Sequence, residues 1–367
     1  MHEKRVLGLD LLRMLATYTI VILHVLAFSG LLASSPPLSP RYGTLWFLEA
    51  ACYGAVNCYA LISGYVSLDS RWKPARLVEL WLQVVFYTAG ATLVLALARP
   101  GAVGAGGWLQ ALTPILSKQY WYFSSYFVLF LLIPFLNKLV NALDLSRLYQ
   151  LSLSLVLCFS ILPLFTTGDI FAVSSGYSPL WLMTLYLLGA CMRRTDLRVR
   201  RHCLLWYLLS VTAAWAFKLF FDHWRLAGIR PIPHFNDALV LSYLSPLVLA
   251  GSLALVSLFS KLRLPAWAVR PVSLLSPVTF GVYIIHTNPV VWKQVLYPRL
   301  QFLLGIPLPA VFFLVLLAAA GIYLACTALD LLRQRLFAMC RVRRFSDAVE
   351  GAVRGLWRRI ICPPGKV

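Results

Sequence analysis

The sequence predicts an all-α, polytopic transmembrane helical bundle with about ten spans. Of its 367 residues, 60% are apolar and only 13% are charged, whereas a soluble chain carries about 25% charged residues. Apolar runs of about 17 to 25 residues, the length needed to cross a hydrocarbon core, alternate with short polar breaks. Because lipid offers no partner for free backbone groups, each run is predicted to be helical.

The ten predicted spans follow one another with short connections. They lie near Leu9–Leu32, Leu45–Leu68, Leu77–Ala98, Tyr120–Leu136, Leu148–Phe165, Gly176–Met192, Cys203–Phe221, Ala238–Ser260, Val272–Val291 and Ala310–Leu332. The first run shows no small-residue cleavage site, so a removable signal peptide is not expected. We expect one transmembrane domain over residues 1–332. Residues 333–367 are expected to form a basic tail, lying as a helix on the inner leaflet.

The net charge of +20 follows the predicted topology. Lysine and arginine are concentrated in the connections on the side of the N-terminus, above all in Arg193–His202 and in the tail. The positive-inside rule therefore predicts that both termini lie in the cytosol, and the expected location is the plasma (inner) membrane. Membrane lipid is an expected partner and nucleic acid is not. The sequence carries no signal for an oligomeric state.

The cysteines and the remaining histidines indicate neither disulfides nor a metal. None of the eight cysteines forms a CxxC pair or lies in a predicted external loop, so reduced structural thiols are expected. His2, His202, His223 and His234 have no metal-ligand spacing with one another. No metal is predicted.

Arg13 and His24 are the most informative polar pair in the predicted spans. Eleven positions of an α-helix amount to about three turns, so both side chains lie on one face, about 16 Å apart along the axis. Arginine offers a forked cation suited to phosphate or carboxylate, whereas a membrane histidine can act as a base or nucleophile. The structural alternative is a snorkelling Asp10–Arg13 pair and a histidine bound to a backbone carbonyl.

The second predicted span ends in Ser63-Gly64-Tyr65, near the cytosolic mouth. The small Ser-Gly pair lets helices approach each other closely. The cations that follow are Arg71, Lys73 and Arg76. They can form a vestibule for an anionic cofactor, although ordinary positive-inside charge explains them equally well.

The ninth predicted span carries Tyr283 and His286 and rises from the cytosol. His286 is therefore expected in the same outer half of the bilayer as His24. Two membrane histidines at similar depth indicate a site more strongly than one, since a lone histidine more often serves helix packing.

Two further features lie towards the external side of the predicted bundle. Trp121 and Tyr122 open the fourth span and form either an interfacial aromatic belt or a stacking platform for a sugar. Glu49, near the external end of the second span, is a candidate acid or base on the acceptor side.

The order of these motifs resembles that of the acyltransferase-3 family of membrane acyltransferases, which includes O-acetyltransferases of bacterial surface polysaccharides. The matching segments are Gly8-Leu9-Asp10-Leu11-Leu12-Arg13 with His24, Ile62-Ser63-Gly64-Tyr65, Tyr120-Trp121-Tyr122-Phe123 running on to Ile133-Pro134, and Gly281-Val282-Tyr283-Ile284-Ile285-His286. The resemblance implies a bundle of about ten helices that uses acetyl-CoA or another acyl-CoA from the cytosol. It also implies that activity depends on Arg13 and His24.

The chain departs from the family pattern at two points. The family often has a dense arginine run leading to Pro-x-Tyr after the Ser-Gly-Tyr motif, whereas here only three cations precede Glu79 and Leu80. Many relatives carry a fused extracytoplasmic hydrolase-like domain, and none is expected here. This chain is therefore expected to finish the transfer itself or to hand the acyl group to a separate protein.

The resulting functional prediction is a membrane O-acyltransferase acting on a hydroxyl group of an envelope glycan or sugar. The expected donor-binding residues are Arg13, Ser63, Gly64, Tyr65, Arg71, Lys73 and Arg76. His24 is expected to act as base or acyl carrier, with help from His286 and Glu49. The expected acceptor-binding residues are Trp121, Tyr122 and Tyr283. A transporter or flippase is the alternative, although no inverted repeat supports it. A module that only recruits partners leaves the paired histidines unexplained.

Overall fold

The computed structural model describes residues 5–70, 72–117, 119–166, 168–195, 202–229, 232 and 234–361, with the backbone alone for 356–361. Within these ranges the chain forms helices and no β-strand. The α-helices are α1 (Leu7–Phe28), α2 (Leu31–Ser34), α3 (Pro40–Tyr53), α4 (Ala55–Ser67), α5 (Ala75–Ala98), α6 (Ala105–Leu112), α7 (Trp121–Ala142), α8 (Leu145–Val156), α9 (Pro179–Thr195), α10 (Cys203–Leu226), α11 (Pro246–Ser260), α12 (Ala266–Leu275), α13 (Thr279–His286), α14 (Pro289–Val291), α15 (Tyr297–Leu300), α16 (Ala310–Met339) and α17 (Val342–Ile361).

Eight helical segments of the described residues are long and apolar enough to cross a membrane. They are Leu7–Phe28, Pro40–Ser67, Ala75–Ala98, Trp121–Ala142, Leu145–Phe165, Cys203–Leu226, Ala266–His286 and Ala310–Met339. The shorter helices α9 and α11 occupy the positions of the sixth and eighth predicted spans. Helix α11 begins at Pro246 rather than Ala238, since proline favours the first helical position. The all-α transmembrane class is confirmed.

One span contains a break that determines the position of His286. A 3₁₀ turn, Ser276–Val278, joins α12 to α13, and α13 ends at His286. Asn288 then caps the next helix, because its side-chain oxygen accepts the backbone N–H groups of Val290 at 2.9 Å and Val291 at 3.3 Å. His286 consequently lies at the C-terminal end of a short, rigidly bounded helix.

Helix α1 lies at the centre of the bundle and packs against α3, α4, α11, α13 and α16. Beside it, α4 and α9 approach each other closely. A Cβ atom on Gly64 would lie 1.9 Å from the carbonyl oxygen of Tyr186, and one on Gly189 would lie 2.0 Å from that of Leu61. Glycines on both helices therefore let the two backbones touch, as the Ser-Gly pair predicted.

Several charged residues of the predicted spans form ion pairs with a neighbour on the same helix. The pairs are Asp10–Arg13 on α1, Lys218–Asp222 on α10 and Asp330–Arg333 on α16. Because an uncompensated charge inside a bilayer costs several kcal/mol, pairing along one helix stabilises these residues at depth.

The C-terminal helix α17 returns against the main bundle. A turn at Arg341, in the left-handed region with φ 54°, separates it from α16. Glu350 on α17 accepts the backbone N–H of Ala75, the first residue of α5, at 2.8 Å. The position of this helix on the inner leaflet and the domain division at residue 332 stay predictions.

Candidate functional site

A cavity of about 230 Å³, called here the inner cavity, lies beside α1. It is lined by Arg13, Ile20, Leu23, His24, Val56, Tyr59, Ser63, Leu80, Trp121, Tyr122, Tyr126, Tyr243, Thr279, Phe280 and Tyr283. Arg13 and His24 line it together, as their spacing on one helix face predicted. The cavity therefore combines a fixed cation, an imidazole and a wall of aromatic side chains.

His24 and His286 form one end of a hydrogen-bonded chain. The Nδ1 atom of His24 lies 2.8 Å from Nε2 of His286, and Nδ1 of His286 lies 2.6 Å from the carbonyl oxygen of Val282. Because a carbonyl can only accept, His286 donates from Nδ1 and accepts at Nε2. His24 then donates from Nδ1, and its Nε2 carries the free lone pair. For two neutral rings, these partners thus assign one tautomer to each histidine.

Aromatic contacts hold the His24 ring in place. Phe28 stacks on it at 4.9 Å with an interplanar angle of 5°, and Trp292 meets Phe28 edge-on at 5.1 Å. His286 is fully buried, contacts His24, and is not among the described residues that line the inner cavity. Of the two histidine rings, that of His24 is therefore the one that faces the inner cavity.

Arg13 is held by polar contacts at the other end of the inner cavity. Its guanidinium donates to Asp10 at 2.9 Å, and Asp10 also accepts the hydroxyl of Ser276 at 3.1 Å and pairs with Arg5. The hydroxyl of Tyr59 donates to the Arg13 carbonyl at 3.0 Å. These bonds tie the start of α1 to the turn before α13, so they link the positions of Arg13 and His286.

The predicted acceptor residues all line the inner cavity. Trp121 stacks on Tyr243 at 5.7 Å with an interplanar angle of 25°, and Tyr122 meets Tyr283 edge-on at 6.1 Å. The Tyr283 ring lies 6.4 Å from that of His286. Trp121, Tyr122 and Tyr283 thus form part of the cavity wall rather than only a belt at the membrane surface.

A second cavity of about 430 Å³, called here the cationic cavity, adjoins the first. Its charged lining residues are Lys73, Arg76, Glu79, Arg333 and Arg343. Leu80 and Tyr126 line both cavities, so the two spaces share a wall. Lys73 and Arg76 were predicted from the sequence, whereas Arg71 lies outside the described residues. Four cations facing one carboxylate make this space suited to a polyanion.

A family model described as an acyltransferase domain matches residues 6–328. This range contains both histidines, Arg13 and the aromatic wall. The chain belongs to the acyltransferase-3 family. The protein is therefore a membrane acyltransferase, and the resemblance seen in its motifs is confirmed. No curated protein and no solved structure matches the sequence.

The three residues of the Ser63-Gly64-Tyr65 motif of the acyltransferase have three different environments. Ser63 lines the inner cavity and donates to the Tyr59 carbonyl at 2.9 Å. Gly64 is not among the described lining residues of this cavity. Its α-carbon faces α9, where a side chain would collide with backbone atoms. Tyr65 lines a third cavity of about 350 Å³ that Arg13 also lines, and the Arg193 guanidinium lies 5.6 Å from its ring centroid. Gly64 is thus a packing residue.

Glu49 lies apart from the inner cavity of the acyltransferase. It is 6% exposed and is not among the described residues that line this space. Its Oε2 atom has no hydrogen-bond partner within the described part of the chain. The predicted role in acid–base chemistry therefore gains no support from the geometry.

Several residues near the two cavities of the acyltransferase were not predicted from the sequence. Tyr59 and Tyr126 line the inner cavity, and Asp330 forms a buried network near the cationic cavity. One signal was present: Asp330 is an acidic residue inside the tenth predicted span, which required a partner. Among the described residues no cluster of His, Cys, Asp or Glu is arranged to hold a metal. That the enzyme requires no metal stays a prediction.

Proposed function

We propose that this acyltransferase moves an acyl group, most simply acetyl, from cytosolic acyl-CoA to a hydroxyl group of an envelope glycan or another sugar-containing acceptor. The observation that carries the proposal is the chain of hydrogen bonds from His24 through His286 to Val282. It leaves one imidazole nitrogen, Nε2 of His24, for proton transfer in a cavity that Arg13 also lines. The protein lies in the plasma (inner) membrane with both termini in the cytosol.

The donor occupies both cavities. Its phosphates bind in the cationic cavity beside Lys73 and Arg76, where excess positive charge compensates them. Its pantetheine arm passes the shared wall at Leu80 and Tyr126 and carries the thioester into the inner cavity. Arg13, at the wall of this cavity, supplies a further cation along the path.

The acceptor hydroxyl attacks in the inner cavity. Nε2 of His24 accepts the hydroxyl proton while the oxygen forms a bond to the thioester carbonyl carbon. The C–S bond then breaks, and the proton passes from His24 to the sulfur, which leaves as the thiol of CoA. His286 touches neither substrate. It accepts the Nδ1–H of His24 at 2.8 Å and stabilises the imidazolium that forms in the step.

The aromatic wall suits a sugar. Trp121, Tyr122 and Tyr283 present flat apolar faces with hydroxyl or indole groups at their edges. Sugar rings likewise combine apolar faces with hydroxyl groups at their rims. A glycan approaching from the external side can therefore stack against this wall with one hydroxyl near His24.

Inverted membrane vesicles test the proposal, because they expose the cytosolic face. Vesicles with the full-length protein receive acetyl-CoA labelled in the acetyl group together with envelope precursors. We expect a base-labile labelled product with the wild type and with His223→Ala, an exposed histidine outside the site. We expect none with His24→Ala at equal protein level. Transfer that survives in His24→Ala contradicts the role of His24.

The same assay separates the competing mechanisms. Without acceptor, label that becomes attached to His24 makes this residue an acyl carrier rather than a base. If the wild type consumes no acetyl-CoA but moves a sugar or lipid-linked precursor across the membrane, the proposed acetyl transfer is overturned and transport takes its place. Extraction of the labelled product identifies the acceptor.

A further inference from the structure

The cationic cavity is built from two separate parts of the chain. Lys73 lies just before α5 and Arg76 in its first turn, both inside the segment that matches the family. Arg333 and Arg343 lie beyond residue 328, where that match ends, on α16 and α17. Two of the four cationic side chains that line this cavity therefore come from the C-terminal segment.

Arg333 is fixed by a buried carboxylate. Asp330 is fully buried and accepts two bonds from the Arg333 guanidinium, at 3.1 and 2.8 Å. Gln83 and Tyr87 on α5 donate to the same carboxylate at 3.0 and 2.7 Å. Since Asp330 compensates the charge of Arg333, this arginine forms a fixed part of the cavity wall. It contributes little uncompensated positive charge.

Arg343 has a different environment. It is exposed, lines the cationic cavity, and has no ion-pair partner among the described residues. Glu350 lies seven residues further along α17, about two helical turns, so both side chains occupy one face. The Glu350 side chain is 16% exposed and caps the N-terminus of α5 at Ala75. This cap holds α17 where Arg343 faces the cavity.

We propose that α17 completes the nucleotide end of the donor site, with Arg343 contacting a phosphate of CoA and Glu350 acting as its positioning residue. The inference rests on the proposed function, which makes a CoA thioester the donor. The tail is then part of the substrate site in addition to any contact with lipid. Trp72 and Phe130, whose rings lie 5.9 Å apart, also line this cavity and offer an apolar surface for the adenine.

Equilibrium binding of CoA to the full-length protein in lipid nanodiscs tests the role of Arg343. Arg343→Gln is compared with Arg344→Gln, a neighbouring exposed arginine that is not among the described lining residues. Both variants remove one positive charge from α17. We expect the dissociation constant to rise about fivefold to tenfold in Arg343→Gln and less than twofold in Arg344→Gln.

A second pair of variants tests the positioning role of Glu350. Glu350→Ala and Asp347→Ala each remove one negative charge from α17, and Asp347 is exposed. Charge alone makes both variants bind CoA slightly more tightly. We expect Glu350→Ala to bind CoA at least threefold more weakly in spite of this, because α17 loses its anchor, while Asp347→Ala stays within twofold of the wild type.

The outcomes distinguish the inference from the proposed function. If the wild type binds no CoA saturably, the proposed donor is wrong and the inference fails with it. If the wild type binds CoA and Arg343→Gln matches Arg344→Gln, the inference is overturned while the proposed function stands. In the transfer assay, Arg343→Gln is expected to raise KM for the donor with kcat unchanged, and a fall in kcat at unchanged KM contradicts the inference.

Discussion

Nδ1 of His24 and Nε2 of His286 lie 2.8 Å apart, although the two residues are separated by 262 positions in the chain. Their contact joins the central helix α1 to the short helix α13. Because His286 is itself locked onto the Val282 carbonyl, one tautomer of His24 is selected, with its Nε2 lone pair left for a substrate. The site therefore has the arrangement of a histidine base oriented by a second group.

The charge and the forked shape of Arg13 are both expected to matter. Arg13→Gln removes the cation that lies in the inner cavity, and we expect kcat/KM for the acyl-CoA donor to fall about 10-fold to 100-fold. Arg13→Lys keeps the charge but loses the forked guanidinium, so we expect a smaller fall in kcat/KM. Steady-state kinetics in vesicles measure both variants. Equal activity of Arg13→Gln and the wild type contradicts a donor contact.

Trp121 is expected to hold the acceptor. Trp121→Ala removes the ring that stacks on Tyr243 at the cavity wall, and we expect KM for the acceptor to rise about 10-fold. The donor KM is expected to stay unchanged. Trp267→Ala is the control, because Trp267 is 79% exposed at the start of α12. A selective rise in donor KM instead would place the ring in the donor path.

Glu49 is expected to be dispensable for the chemical step. Glu49→Gln keeps the shape of the side chain and removes the carboxylate, which lies outside the lining of the inner cavity. We expect kcat to stay within about twofold of the wild type, since direct acid–base catalysis is worth about 10²-fold or more. A 100-fold loss of kcat at a normal protein level would contradict this prediction and indicate that Glu49 takes part in catalysis.

Gly64 is expected to be essential for packing of α4 on α9. In Gly64→Ala the new methyl group meets the Tyr186 carbonyl oxygen at 1.9 Å, so the two helices must separate, at a cost of about 1–3 kcal/mol. In Gly321→Ala no described heavy atom lies within 4 Å of the new group. Thermal stability in detergent, followed by size-exclusion chromatography, should fall for the first variant and stay constant or rise for the second.

Relationships within one helix could be predicted from the sequence. The helical period places Arg13 and His24 on one face, and it brings Asp10 to Arg13; both features are present. Gly64 was recognised as a site of close helix approach because small residues let helices pack closely. Its separate assignment to donor binding stays a prediction, and the structure places the α-carbon of Gly64 against α9.

Relationships between distant helices could not be predicted. The direct His24–His286 contact depends on how α1 and α13 cross, which one sequence does not encode in any local pattern. The position of Arg343 depends on the return of α17, set by a turn at Arg341 and the Glu350–Ala75 bond. By composition alone, the tail is equally typical of a helix that lies on the membrane surface.

The most direct test of the central claim compares single-turnover acyl transfer in His24→Ala, His286→Ala and the double variant. If His286 acts only by orienting His24, we expect His24→Ala to abolish transfer and His286→Ala to retain about 1–10% of the rate with unchanged donor affinity. The double variant should then be no slower than His24→Ala. Residual transfer in His24→Ala that the second substitution removes would contradict the account, because it would show that His286 reacts with the substrate on its own.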